Sequence, residues 1–339
     1  MNGELMRSEM GEQPEVLARF ARRFDDHTAG VRALLPAELR GVAFVARGSS
    51  DHAAVYGRYL SELASGRPAS LVAPSLHTLY RAEVDYSGWL LVALSQSGAT
   101  PEIEDITRRL QHAGARTVAI VNDAASPLGR AAEVVIPLDA GIERAVPATK
   151  TVTTQLLAVA AVAAALGPVP FDRSALDALP SLVEELLAAP EPARALAEAW
   201  ASAERAFVVA RGLLLAAALE TALKVKETTG VQAEAFSAAD LRHGPIAATG
   251  PDAPVLVLDG GGPPSPDVTQ LAALAARRGA PVARCAAGHA ELPLPAGTPE
   301  ALAVVTATVA GQQLALSLAE ARGLDPDAPE GLSKVTATN

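Results

Sequence analysis

Ser95-Gln96-Ser97-Gly98-Ala99-Thr100 concentrates three hydroxyls and a glycine in one short stretch. It follows Leu90-Leu91-Val92-Ala93-Leu94, a buried-strand pattern, and precedes Pro101-Glu102-Ile103-Glu104-Asp105, a helix start. The hydroxyls therefore fall at the carboxyl end of a strand, facing a helix N-terminus. Backbone N–H groups and the helix dipole favour an anion there. Open α/β sheets take their ligands at that end of the strands. Hydroxyls donate hydrogen bonds without adding charge, which suits a phosphate carried by a neutral sugar.

Arg47-Gly48-Ser49-Ser50-Asp51 occupies the same kind of position on another strand. Ser50 or Asp51 reads as a helix N-cap; alternatively, Ser49 and Ser50 form a second wall of the anion pocket. Neither loop reads G-x-G-x-x-G, so a dinucleotide fingerprint fits poorly. In Glu143-Arg144-Ala145-Val146-Pro147-Ala148-Thr149-Lys150, Pro147 suits a first helical turn, and Glu143 alone reads as a surface charge. Thr149 and Lys150 are further candidates for the anion site. Ala218 to Glu227 is an amphipathic helix in which Leu219, Ala222, Leu223 and Lys226 follow the helical period. Its Glu220 and Lys224 form an i,i+4 pair, which by composition reads as a salt-bridged solvent face. Asp240-Leu241-Arg242-His243-Gly244-Pro245 is a turn with a histidine at its apex. A histidine near a glutamate such as Glu227 makes an acid/base pair, because imidazole titrates near neutrality. The polar C-terminal stretch reads either as a disordered tail or as a lid carrying Lys334.

The elements that position these residues alternate between strand and helix. Val42–Ala46, Leu90–Leu94, Thr117–Val121 and Val134–Pro137 read as strands; Asp51–Glu62, Pro101–His112 and Ser126–Ala132 read as helices. This alternation predicts a parallel sheet covered by helices on both faces. A long helix from about Ala148 to Leu166 closes that half. The second half repeats the pattern. Phe44-Val45-Ala46-Arg47-Gly48 returns as Val208-Val209-Ala210-Arg211-Gly212, and Leu91-Val92-Ala93-Leu94 as Val255-Leu256-Val257-Leu258 at the same offset. Ala-rich Pro299–Ala321 closes it as another long helix. Ordered matches of this kind indicate a duplicated α/β domain. The second copy's loop, Gly260-Gly261-Gly262-Pro263-Pro264, has no hydroxyl before Ser265, so a single phosphate pocket is expected, in the first half. The expected division is an N-terminal helical extension over 1–35, a first domain over 36–170, linker helices over 171–192, a second domain over 193–324 and a tail over 325–339.

The chain has 339 residues, half of them apolar, and a net charge of −10. That length suggests two domains with packed cores. The acidic balance argues against nucleic acid as a partner. The single cysteine, Cys285, lies in a strand-like segment, excludes an intrachain disulfide, and reads as a buried core residue. The N-terminus shows no signal-peptide pattern, and Thr151–Leu166 is too short and too interrupted for a membrane span, so a buried helix and a cytoplasmic protein without membrane contact are expected.

Taken together, the motifs resemble those of tandem sugar-isomerase (SIS) domain proteins, as in the isomerase half of glutamine–fructose-6-phosphate aminotransferase. The resemblance rests on Gly48-Ser49-Ser50, Ser95-Gln96-Ser97-Gly98-x-Thr100, Val146-x-x-Thr149-Lys150, Ala222-Leu223-Lys224-x-Lys226-Glu227, Leu241-x-His243-Gly244-Pro245 and Leu332-x-Lys334. It implies two flavodoxin-like αβα sandwiches, each around a five-stranded parallel sheet, and a homodimer. It also implies that Ser50, Ser95, Gln96, Ser97 and Thr100 hold a sugar phosphate, with Gly48, Ser49, Val146 and Thr149 lining the rest of the substrate. Glu227 would move a proton between C1 and C2, His243 would reach in from the partner subunit for ring opening, Lys334 would cover the open-chain sugar, and Lys224 would lie near the reacting oxygens. No metal or redox cofactor is implied. Two positions depart from the family pattern: Ala148 stands where a serine is frequent, and Gly331 where an asparagine is frequent. The glutaminase half and its cysteine nucleophile are not in this sequence, so release of ammonia from glutamine by that route is not expected. Ala46-Arg47-Gly48-Ser49-Ser50-Asp51-His52 looks most like the SIS-type glucosamine-6-phosphate deaminases. The resemblance thus implies conversion of glucosamine 6-phosphate to fructose 6-phosphate and ammonia. Its alternatives are action on galactosamine 6-phosphate or a fructosamine 6-phosphate, and a non-catalytic sugar-phosphate sensor.

Overall fold

The computed structural model describes residues 2–329 and 331–334. Glu330 and residues 335–339 of the expected tail lie outside that range. The chain forms two compact units. One contains residues 16–143 and 151–169, the other residues 2–15, 144–150, 170–329 and 331–334.

Three helices open the chain, α1 (Glu4–Gly11), α2 (Gln13–Arg22) and α3 (Phe24–Leu34). The first sheet is then laid down as β1 (Gly41–Val45), α4 (Ser49–Ser65), β2 (Ala69–Leu71), α5 (Pro74–Thr78), β3 (Trp89–Ser95), α6 (Pro101–His112), β4 (Arg116–Val121), α7 (Pro127–Ala131) and β5 (Val134–Pro137), followed by α8 (Lys150–Leu166). Its strands lie in the order β2-β1-β3-β4-β5, and every pairing is parallel. The central strands are apolar without alternation because helices cover both faces. Leu91, Ala93, Ile103, Ile106, Ala119 and Leu128 belong to one buried cluster.

The second sheet repeats this course. After α9 (Arg173–Ala188) and α10 (Glu191–Trp200) come β6 (Arg205–Ala210), α11 (Leu215–Thr229), β7 (Gln232–Ser237), α12 (Ala238–Arg242), β8 (Val255–Asp259), α13 (Ser265–Arg277), β9 (Val282–Ala287), β10 (Leu292–Leu294) and α14 (Glu300–Ala321). Read from the β7 edge, the order is β7-β6-β8-β9-β10, the same permutation as in the first sheet, again all parallel. The duplication expected from sequence is thus a duplication of topology. Each unit has the 2-1-3-4-5 order of the flavodoxin-like class. Cys285 is buried in β9, and burial pushes its thiol pKa up to about 12. It is a core residue, as its surroundings in the sequence suggest.

Helix α14 is long and apolar enough to cross a membrane by length and composition, yet its apolar window is wholly buried in the fold. A helix apolar on every side is what a core position demands. It packs so tightly on α11 that a Cβ built on Gly311 would lie 2.1 Å from Thr221 Oγ1. Thr221 in turn donates to the Ala217 carbonyl at 2.8 Å, which fixes its rotamer. We expect Gly311→Ala to lower stability by about 1–3 kcal/mol through overpacking. Urea unfolding measures this, and an unchanged midpoint would show that the two helices have room to part.

Candidate active site

In the first sheet β1 and β3 are neighbours, with Val45 opposite Ala93. The chain leaves β1 toward one edge and β3 toward the other, which makes their carboxyl ends the switch point where such sheets bind ligands. The two serine-rich loops both sit there. Gly48 begins the turn into α4 with φ 57°, a conformation that favours glycine, and Ser49 and Ser50 fall in the helix's first turn. Neither Ser50 nor Asp51 is the cap, which corrects that reading: the cap position is Gly48, and no side chain caps the helix. Ser50 is instead buried, and its hydroxyl accepts from Gln155 Nε2 of α8 at 2.9 Å. Asp51 has its pKa raised by burial, against the opposing charges of His52 and Arg47.

After β3, Ser95 is buried and its Oγ accepts from Gly98 N at 3.1 Å and lies 3.4 Å from Thr100 Oγ1. Ser97 Oγ accepts from Ala99 N at 3.2 Å. Gly98 has φ 63°, and a Cβ there would lie 2.1 Å from Ser126 Oγ, the cap of α7. No larger residue makes that turn without displacing α7. Thr100 is the N-cap residue of α6, yet its side chain makes no capping bond. Two neighbouring helices thus begin at this crevice without side-chain caps, and their first-turn N–H groups can receive an anion. Ser50, Ser95, Gln96, Ser97 and Thr100 all lie on the two segments that leave the neighbouring strands β1 and β3, within this unit.

The matching switch point of the second sheet is filled. A Cβ on Gly262 would lie 1.8 Å from Glu300 Oε2, and one on Gly260 2.7 Å from Leu214 Cδ1. Burial raises the Glu300 pKa, as does the neighbouring Asp259 carboxylate. A carboxylate plugs the place where the first sheet presents hydroxyls.

The other expected residues lie in the second-sheet unit. Helix α11 carries Glu220, Lys224 and Glu227, and the charged pair expected on its solvent face is buried instead. Glu220 is 2% exposed and Lys224 1% exposed, whereas Leu223 is half-buried and Lys226 exposed. The pair is not a solvent face. Lys224 Nζ lies 3.4 Å from Glu220 Oε1 and donates to Glu227 Oε2. Burial works to lower the Lys224 pKa, but the two carboxylates prevail and hold it above the ordinary value. Glu227, about a fifth exposed, thus presents a carboxylate oriented by a buried cation. His243 ends α12 and is exposed; Gly244, at φ 144°, and Pro245 stop the helix behind it. Leu241 is buried, and Arg242 bonds to Asp267 of α13, so the histidine stands on an anchored turn. Lys334 is half-buried.

Val146 and Thr149 belong to the same unit as Lys224. Their segment is gripped by residues that the motif reading passed over. Glu9 accepts from the N–H groups of Arg144 and Ala145, and Glu12 pairs with the buried Lys150 at 2.6 Å. Gln312 donates to the Thr149 carbonyl at 3.3 Å. Glu143 is buried rather than a surface charge, accepting from Thr151 N at 3.2 Å and Thr151 Oγ1 at 2.7 Å. Glu9, Glu12 and Gln155 carried no local signal, since each acts on a segment more than a hundred residues away. Among the described residues, no group of three or more His, Cys, Asp or Glu side chains is placed to hold a metal ion.

What the arrangement offers is anion docking in one unit and, in the other, a carboxylate base beside a buried ammonium. Removing Lys224 leaves Glu220 buried without its cation. We expect Lys224→Met to cost about 3–5 kcal/mol at neutral pH and Glu220→Gln to restore much of it. Because the folded pKa is raised, the lysine's stabilisation is complete below the ordinary value of 10.5 and is lost as pH rises through the higher folded value. Denaturation of both proteins across that range should show the gap between them closing only in strong alkali; a gap that is constant with pH contradicts the assignment.

The SIS domain family matches residues 38–165 and 200–307. The chain is 34% identical to a glutamine–fructose-6-phosphate aminotransferase of Aeropyrum pernix over 97% of its own length and 56% of the relative's, and 33% identical to one of Thermus thermophilus over 97% and 58%. It spans a little over half the length of these relatives. Among solved structures, a candidate phosphosugar isomerase from Silicibacter pomeroyi is 32% identical with a TM-score of 0.83, covering 96% of this chain and all of that one. A glucosamine-6-phosphate deaminase from Thermotoga maritima shares the fold at 21% identity and TM-score 0.80, over 98% of this chain and 99% of that one. Two sheets of one topology and a family match over both make this chain a member of the SIS domain family.

Proposed function

We propose that the protein is a phosphosugar isomerase and deaminase that converts glucosamine 6-phosphate and water to fructose 6-phosphate and ammonia. The observation that carries this reading is the Glu227 carboxylate bonded to buried Lys224, in a chain that also offers an uncapped, hydroxyl-lined switch point. Ser50, Ser95, Gln96, Ser97 and Thr100 hold the phosphate. His243, donated by the partner of a homodimer, passes the proton that opens the ring. Glu227 takes the C2 proton of the open aldehyde and returns a proton to C1, giving a ketimine at C2. Lys224 stabilises the oxygen that gains negative charge in the enol intermediate. Water adds to C2, ammonia leaves, and the ketone of fructose 6-phosphate remains. Lys334 covers the sugar while this happens. The plugged second switch point supports one phosphate per chain.

The enzyme should release ammonia from glucosamine 6-phosphate, and Glu227→Gln should reduce that rate by at least about a hundredfold, the ordinary scale of lost acid–base catalysis. Wild-type protein that neither deaminates nor isomerises any sugar phosphate overturns the reading. A panel containing galactosamine 6-phosphate and a fructosamine 6-phosphate assigns the sugar, and binding without turnover identifies a sensor instead. Donation of His243 across the dimer has its own test. Glu227→Gln and His243→Ala chains, each inactive alone, should regain about a quarter of wild-type activity when mixed and exchanged, since the mixed dimer has one intact pair. No recovery in confirmed mixed dimers contradicts donation in trans.

A further inference from the structure

Two ion pairs occupy equivalent places in the two units. Arg47 follows β1, and its Nε and Nη2 donate to Glu102 Oε2, in the first turn of α6, at 3.0 and 2.8 Å. Arg211 follows β6, and its Nη1 donates to Asp267 Oδ2, in the first turn of α13, at 2.6 Å. The arginines stand at the offset shared by the strand repeats. In each unit the pair joins the loop after the first strand to the helix after the third, across the switch point.

The surroundings differ. Asp267 also receives Arg242, and the crevice of its unit is already filled by neighbours of Gly260 and Gly262. The Glu102 side chain is 6% exposed, and its cation is the half-exposed Arg47. Glu102 stands two residues beyond Thr100, in the first turn of the helix whose uncapped end would receive the phosphate. A carboxylate there favours the helix dipole but opposes a bound dianion. One uncompensated unit charge at the separation of neighbouring groups on a helix turn changes an anion's affinity by about tenfold or more.

The geometry points to Arg47 as a positioning residue for the phosphate end of the substrate: it neutralises Glu102, so that the hydroxyl loop meets the phosphate without a competing negative charge. The inference rests on the sugar-phosphate reading above. An equivalent pair, Arg211 with Asp267, also stands in the unit whose crevice is filled, so a pair at this place is not there to ligate phosphate directly. Arg47 is the compensator and Ser95 to Thr100 the ligands.

Inorganic phosphate as a competitive inhibitor, together with KM and kcat for glucosamine 6-phosphate, tests this on the intact protein with Arg47→Met, Glu102→Gln and the double variant. Expected affinities fall in the order Glu102→Gln, then wild type and double variant alike, then Arg47→Met weakened about tenfold or more. kcat should stay within about twofold of wild type throughout, and the spread should shrink with added salt. A double variant as weak as Arg47→Met makes Arg47 a phosphate ligand and overturns the inference. Equal weakening in all three variants makes the pair a mechanical tie and overturns it as well. If Arg47→Met does not fold, Glu102→Gln decides alone, and unchanged or weaker phosphate affinity in it is the overturning result. Wild-type protein that binds neither phosphate nor any sugar phosphate brings down the functional reading itself, a result distinguishable from all of these.

Discussion

Parallel pairing of β1 with β3 is the constraint from which the first unit's chemistry follows. Crossovers between parallel strands keep one hand, so a chain that leaves β1 for one edge and β3 for the other carries its helices to opposite faces. The two loops between them cannot close over the strand ends. The gap has a fixed address, and both adjoining helices point their N-termini at it. The same constraint holds for β6 and β8, where the gap is filled by Glu300 and Leu214. One topology therefore presents hydroxyls at this address in one unit and a carboxylate plug in the other, depending on a few side chains.

The two units treat charge in opposite ways. The first presents hydroxyls, amides and helix ends, none of which must lose a full charge's hydration to receive an anion. The second buries an ammonium at a cost that Glu220 and Glu227 together offset, leaving Lys224 protonated in spite of its burial. Breaking such an arrangement is costly because whichever partner is left stays buried without its counter-charge. The arrangement in return holds the Glu227 carboxylate in one orientation, as the proton transfer proposed for it requires.

Much of the framework was legible in the residues. Pro101–His112 and Val134–Pro137 coincide with a helix and a strand as observed, because proline starts and unbroken apolar runs leave little choice. Strands β2 and β7 escaped the pattern: one has three half-buried residues, and the other is an edge strand with Glu234 exposed. The burial of Glu220 and Lys224 in α11 is hidden in sequence because Leu219 and Leu223, which are only half-buried, outweigh them on any hydropathy count, and a pair that neutralises itself in the interior looks like a surface pair. The hydroxyl loops could be located by their position between strand and helix. The partners that hold them, Gln155 for Ser50 and Arg47 for Glu102, could not, since they come together only through tertiary folding. The same holds for Glu9 and Glu12, whose charges read as an undistinguished acidic N-terminus.

Cys285 has a practical meaning beyond its place in β9. It is the chain's single cysteine, covered by the core, and its thiol gives up its proton only near pH 12. Maleimides and similar reagents attack thiolate, so at neutral pH the native chain offers them almost nothing. A cysteine introduced on the exposed turn at His243 or near Lys334 would carry a fluorophore or spin label at one chosen position, on a background that needs no prior removal of native thiols.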